Sequence, residues 1–248
     1  MAAVTILETK GLSRHFGGLK AVQNVDFEIR QGEIRALIGP NGAGKTTFVS
    51  LLSGRIPVSS GTISFMGSDI TAKPAFRRVR EGIAYTFQIT SIYPNLSVYE
   101  NAALAAQSAL QRHRGFLSRI DRKALDADAL AALERVGLIE RREVIAGNLS
   151  YGHQRLLEVA MGLALKPKLL ILDEPTQGLS DGEIENFCGL VKEIAKTATV
   201  LLIEHNMPVV MQLADRITVL NHGEILTSGT PEEIRADRTV QEAYLGGG

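Results

Sequence analysis

The residues Gly39-Pro-Asn-Gly-Ala-Gly-Lys-Thr-Thr47 combine the side chains and flexibility that holding a chain of phosphates requires. Glycines at 39, 42 and 44 carry no Cβ to keep a ligand off the backbone, and they accept φ > 0 where the loop must curl. Successive N–H groups can then converge on phosphate oxygens, reinforced by the start of a helix. Lys45 can reach the β- and γ-phosphates, and the Thr46 hydroxyl suits Mg²⁺. Further along, Asp173 and Glu174 end the apolar run Leu169-Leu-Ile-Leu172. Asp173 can serve the metal beside Thr46, leaving Glu174 to orient or deprotonate a water. His205 ends a second apolar run, Leu201-Leu-Ile-Glu204, and Gln88 follows a third, where its amide could contact both metal and water. Ser150 and Gly152 offer a hydroxyl and backbone donors at a helix start. That is either a second anion-binding surface or an ordinary Ser N-cap. Phe16, beside Gly17-Gly18, is either a core ring or an exposed π-face for a nucleobase.

These side chains need a scaffold, and the surrounding pattern supplies one. Glu33–Ile38 reads as a strand and Thr46–Leu52 as a helix, which is the context a phosphate loop demands. Further strands are expected at Thr5–Thr9, Val25–Ile29, Thr62–Phe65 and Ile83–Phe87, with Ser59-Ser60-Gly61 as a turn. Leu169–Asp173 and Thr199–Ile203 lack polar alternation, as parallel strands covered on both faces do. Arg216–Leu220 and Glu224–Thr227 form a hairpin around His222-Gly223. Capping boxes open helices at Ser97–Glu100, Ser180–Glu183 and Thr230–Glu233. Lys73–Glu81, with Arg77, Arg78 and Arg80, reads as a solvated basic face. Residues 1–89 and 161–248 are thus expected to build an α/β core, interrupted by a helical subdomain over 90–160.

The chain has 248 residues and 45% hydrophobic content, enough to bury a core without disulfides. Its 27 basic and 27 acidic residues balance, so no general pull toward nucleic acid or anionic lipid is expected. The lone Cys188 fits a reducing compartment and a packing role. There is no signal-peptide pattern and no apolar stretch of about 18 residues, so any work at a membrane is expected to go through partners.

In this order, the motifs resemble those of the ATP-binding cassette ATPases that drive membrane transporters. Gly39 to Thr46 matches the Walker A motif, Gln88 the Q-loop, Leu149 to His153 the signature, Leu170 to Glu174 the Walker B motif, and His205 the switch histidine. Phe16 falls where the family has its adenine-stacking aromatic. The resemblance implies a P-loop NTPase (RecA-like) α/β core with an N-terminal antiparallel β region and an inserted α-helical subdomain. It implies ATP held by Phe16, Gly39, Asn41, Gly42, Ala43, Gly44, Lys45, Thr46 and Thr47, with Ser150 and Gly152 closing over it from another subunit. Mg²⁺ would be served by Thr46, Gln88 and Asp173, and hydrolysis by Glu174, His205 and Gln88. The implied partners are a second ATPase subunit, identical or related, two transmembrane permease subunits and, indirectly, an extracytoplasmic solute-binding protein. The implied location is the inner face of the cell membrane.

The match has departures. The usual signature, Leu-Ser-Gly-Gly-Gln, carries Tyr151 at its third position and His153 at its fifth, and Ser180 stands where many members have aspartate. Thr86-Phe-Gln88, Tyr151, Ile203-Glu-His-Asn-Met207, Gly229–Glu233 and Ala243–Gly246 are similar to the branch that imports branched-chain amino acids. Urea and short-amide importers and the lipopolysaccharide-export ATPase share parts of this pattern. A soluble DNA-associated ATPase and a phosphotransferase are the readings from other classes. Zero net charge counts against the first.

Overall fold

The computed structural model describes residues 4–86, 91–112 and 121–245. Two sheets organise them. β1 (Thr5–Phe16) and β2 (Leu19–Arg30) form a long antiparallel hairpin. β3 (Ile34–Ile38) then runs into the glycine loop and α1 (Lys45–Leu52). β4 (Ser60–Phe65) and β5 (Ser68–Asp69) complete the first sheet in the order β2-β1-β4-β5. After α2 (Ala75–Glu81), β6 (Ile83–Thr86) enters the second sheet. Three helices follow, α3 (Val98–Leu110), α4 (Arg122–Arg135) and α5 (Tyr151–Ala164), packed on one another. β7 (Leu169–Asp173), α6 (Asp181–Ala195), β8 (Thr199–Ile203) and α7 (Met207–Leu213) return to the second sheet. The hairpin β9 (Arg216–Asn221) and β10 (Glu224–Gly229) closes it, followed by α8 (Pro231–Ala236) and α9 (Arg238–Leu245).

The second sheet has the order β10-β9-β3-β8-β7-β6 and is parallel except for β10. Every residue of β3, β7 and β8 is buried. The strand period of two divides these apolar runs between two cores. Leu169, Ile171, Leu201 and Ile203 join α1 and the antiparallel sheet, where Phe27 meets Phe48 edge to face at 5.3 Å. Leu170, Leu172, Val200 and Leu202 join the packed helices on the opposite face, with Cys188 buried among them. Because β3, β7 and β8 are parallel neighbours, their carboxyl ends lie together. Open parallel sheets bind ligands at such ends.

Two expectations are corrected. Ser60 and Gly61 belong to β4, not to a turn before it. Ser60 pairs with Ser13 of β1, and a Cβ on Gly61 would come within 2.4 Å of the Gly11 carbonyl oxygen. The basic face is solvated at Arg77 and Arg80, but Arg78 is only 2% exposed. Its guanidinium donates to the carbonyls of Leu51 (2.7 Å) and Leu52 (2.9 Å) at the end of α1, and to those of Thr71 and Lys73. A cation is well placed against terminal helix carbonyls. Burial nevertheless pulls its pKa down to about 10.

Candidate functional site

The glycine loop is fixed by the protein's own backbone. Gly39 and Gly44 both have positive φ, and a Cβ would lie 2.1 Å from the Leu220 carbonyl oxygen at the first and 2.3 Å from that of Ala21 at the second. Glycine is therefore required at these positions by contact with β9 and β2, where the sequence had suggested contact with a ligand. Gly42 is different: nothing lies within 4 Å of the equivalent point, so its open side faces the cleft. Gly223 anchors the loop further, donating to the Ala43 carbonyl at 2.9 Å and accepting from Gln23 at 2.8 Å.

The resulting cleft measures about 570 Å³. Asn41 to Thr47 form its floor, Glu174 and His205 one wall, and Leu19 to Ala21 with His222 the other. Gly44 caps α1 without a side chain, so the first-turn N–H groups are left for solvent or an anion. Lys45 is buried, and its ammonium donates to the Gly39 (2.7 Å) and Pro40 (3.0 Å) carbonyls. Burial lowers its pKa, and the carboxylates of Glu174 and Asp173 oppose that shift.

Asp173, at the end of β7, is 2% exposed. Desolvation raises its pKa and Glu174 adds to the rise, while a 2.6 Å hydrogen bond from the Tyr85 hydroxyl opposes it. The same contact and burial push the Tyr85 phenol above its ordinary range. Glu174 has φ 48°, a left-handed conformation that costs a non-glycine residue about 1–3 kcal/mol. A hydrogen bond from its N–H to the Ile203 carbonyl at 2.9 Å holds it there. Its Oε1 lies 2.6 Å from His205 Nε2. The loops after β7 and β8 thus bring a carboxylate and an imidazole together over the glycine loop.

The other predicted residues lie elsewhere. Ser150 caps α5, its Oγ sharing a 2.7 Å hydrogen bond with His153 Nδ1. Gly152 packs so tightly that a Cβ would sit 2.4 Å from Glu183 Oε1, and it lines a different hollow, between α4, α5 and α6. Within one chain, then, the signature segment and the glycine loop do not share a cleft. Phe16 ends β1 with its ring 45% exposed and the Arg14 guanidinium 4.5 Å from the ring centre. It sits just before the hairpin residues that form the cleft wall. Gln88 lies outside the described residues.

Sequence reasoning passed over Tyr85 and Glu204, which hold Asp173 and the His205 loop. A carboxylate ending the apolar run before His205 was the visible clue for Glu204. Two acids at the end of one buried strand, with a threonine hydroxyl on the exposed side of the phosphate loop, form a hard-oxygen donor set that suits Mg²⁺. Among the described residues no group of three or more His, Cys, Asp or Glu side chains could hold a metal by itself.

The chain is similar to known proteins over nearly its whole length. The family model for ABC transporters matches residues 22–177, and one described as "Branched-chain amino acid ATP-binding cassette transporter" matches residues 224–248. The chain is 42% identical to the high-affinity branched-chain amino acid transport ATP-binding protein LivG of Salmonella typhimurium, with 97% of this chain and 98% of that protein aligned. It is 38% identical to the corresponding protein BraF of Pseudomonas aeruginosa over the same shares of each. Among solved structures, an ATP-binding cassette of an ABC transporter in its ADP conformation superposes with a TM-score of 0.85 at 29% identity, covering 98% of this chain and 99% of that one. A nucleotide-free cassette superposes at 0.84 and 28% identity, covering 97% and 99%.

Proposed function

The chain belongs to the ABC transporter ATP-binding family, and from that premise we propose that it is the ATP-hydrolysing subunit of an importer for branched-chain amino acids. The observation that carries the hydrolytic part is the single cleft in which Asn41 to Thr47 face Glu174 and His205. Full-length similarity to the branched-chain amino acid ATP-binding proteins, with the match over residues 224–248, supports the solute class.

In this reading the N–H groups around Gly42 to Thr47 and the Lys45 ammonium bind the phosphates. Lys45 exchanges its two loop carbonyls for phosphate oxygens. Asn41, Ala43 and the loop glycines shape the cradle, and Phe16 stacks on the adenine. Thr46 and Asp173, with Gln88, would hold Mg²⁺, and the bound metal would supply neutralisation of phosphate charge. Glu174 takes the proton of the attacking water, and His205 holds that carboxylate and senses the γ-phosphate. Ser150 and Gly152 of a second subunit, identical or related, complete each site.

Residues 90–160 act as the helical subdomain that faces the permease. A second hollow of about 350 Å³, lined by Tyr93, Leu104, Ala105, Met161 and Leu165, supports docking of a permease segment there. Among the described residues no helix is long and apolar enough to cross a membrane. Attachment to the inner face of the membrane therefore runs through two permease subunits, with an extracytoplasmic binding protein supplying the solute.

The test is phosphate release by the purified chain and by Glu174→Gln. The variant should retain ATP binding while hydrolysing about 10²-fold more slowly. Near-normal turnover would remove Glu174 from the role. Co-purified permease subunits reconstituted with this chain, its co-purifying ATPase partner where one is present, and the solute-binding protein should take up labelled leucine, isoleucine or valine with ATP. Uptake of a different solute would overturn the assignment of substrate.

A further inference from the structure

Glu204 is a carboxylate with 3% exposure, and both of its oxygens are occupied. Oε1 accepts from the Thr176 N–H at 3.0 Å and from the Thr176 hydroxyl at 2.5 Å. Oε2 accepts from the His205 N–H at 2.9 Å and the Asn206 N–H at 3.2 Å. An ionised carboxylate has about four acceptor sites, so this set of donors matches its capacity. The donors come from two loops. Thr176 stands two residues after Glu174 in the loop beyond β7, whereas His205 and Asn206 open the loop beyond β8. The Glu174 N–H to Ile203 carbonyl bond, onto the end of β8, and the Glu174–His205 pair also join these segments.

We propose that Glu204 is a positioning residue for hydrolysis: it clamps the two loops so that Glu174 and His205 meet at 2.6 Å over the glycine loop. The physical need is clear from Glu174 itself. Its left-handed backbone is strained and relaxes unless its surroundings fix it. A buried anion with charge-assisted hydrogen bonds to both loops does so more rigidly than neutral partners would. Its four hydrogen bonds go to Thr176, His205 and Asn206 and not to the phosphate cradle, so its effect should fall on the chemical step and spare nucleotide binding.

An amide cannot reproduce the arrangement. Glutamine in place of Glu204 has one acceptor oxygen and one NH₂ group. Turned toward His205, the oxygen keeps that side and the NH₂ faces the Thr176 N–H; turned toward Thr176, the NH₂ faces the His205 and Asn206 N–H groups, so in either orientation one side of the clamp sets donor against donor.

The inference rests on the hydrolytic reading above, and the experiment separates the two. Steady-state hydrolysis, binding of a fluorescent ATP analogue and thermal unfolding are measured on the full-length chain. Wild-type phosphate release tests the reading. Given an active wild type, Glu204→Gln should lower kcat about tenfold or more with KM and analogue affinity within threefold. Thr176→Val, which removes one donor, should lower kcat about threefold to tenfold, and Thr176→Ser, which keeps the hydroxyl, should restore it. The double variant Glu204→Gln/Thr176→Val should be no slower than Glu204→Gln alone. Wild-type kcat in Glu204→Gln would overturn the proposal, as would equal loss in the Val and Ser variants. A joint fall in kcat, analogue affinity and melting temperature would overturn it too, marking Glu204 as fold support. If Glu204→Gln does not fold, the Val and Ser pair alone decides.

Discussion

Arg78 carries four donated hydrogen bonds into a place with almost no solvent, and two of them end on the last carbonyls of α1, the helix that begins at Lys45. The Leu51 carbonyl also accepts from the Gly54 N–H at 3.2 Å, and the guanidinium adds a C-terminal cap delivered from α2. Replacing it by methionine keeps the bulk and removes every donor. Arg78→Met should therefore destabilise the chain by about 3 kcal/mol. For a chain of this size that corresponds to a melting temperature about 6–12 °C lower in a thermal scan. A drop of under about 1 kcal/mol would mean that water replaces the guanidinium at those carbonyls. The sequence could not single out this arginine. Arg77, Arg78 and Arg80 differ in the direction each takes around a short helix, and the Leu51 and Leu52 carbonyls that accept from Arg78 lie far from it in sequence, where nothing marks them as acceptors. Glu204 was hidden for the same reason: its type and position were visible, but its Thr176 donors belong to another loop.

At the scale of elements, the phosphate loop is held between β2 and the β9–β10 hairpin, and its glycines divide into two kinds. Gly44 answers to the Ala21 carbonyl, whereas Gly42 answers to its own φ of 79° and to the open cleft. Gly44→Ala forces a backbone collision and should cost about 3 kcal/mol or more, lowering melting temperature and ATP affinity together. Gly42→Ala adds only the left-handed strain of about 1 kcal/mol, equivalent to about 2–4 °C, so its loss should appear chiefly in ATP affinity. Calorimetric scans with and without nucleotide distinguish the two, and equal melting temperatures for both variants would contradict the packing argument. The elements themselves were largely legible. Buried parallel strands announce themselves as unbroken apolar runs, as β7 and β8 do, and the capping boxes at Ser97, Ser180 and Thr230 all form. β1 was read short because its register shifts between Thr9 and Leu12, around Gly11 with φ 56°. A bulge of this kind interrupts the alternation that marks a strand without ending the strand.

At the scale of the whole molecule, the glycine loop and the signature segment face different hollows, which the proposed function reads as two half-sites. If two copies pair about a twofold axis so that one glycine loop meets the other copy's Ser150 and Gly152, as in the proposed function, symmetry forms both sites at once. This geometry has a consequence that a site contained in one chain lacks. Lys45→Ala damages the glycine-loop half and Ser150→Arg the signature half, and each variant alone should be inactive because both of its sites carry the defect. In a mixed pair the two defects fall on the same site, and the other site is wild type in both halves. With equal amounts and random pairing, half the pairs are mixed, and each has one intact site of two. The mixture should therefore recover about a quarter of the wild-type rate when the sites act independently. Phosphate release measured across a titration of one variant into the other should peak at equal amounts. A flat, inactive titration would exclude completion of the site by independent cross-subunit halves.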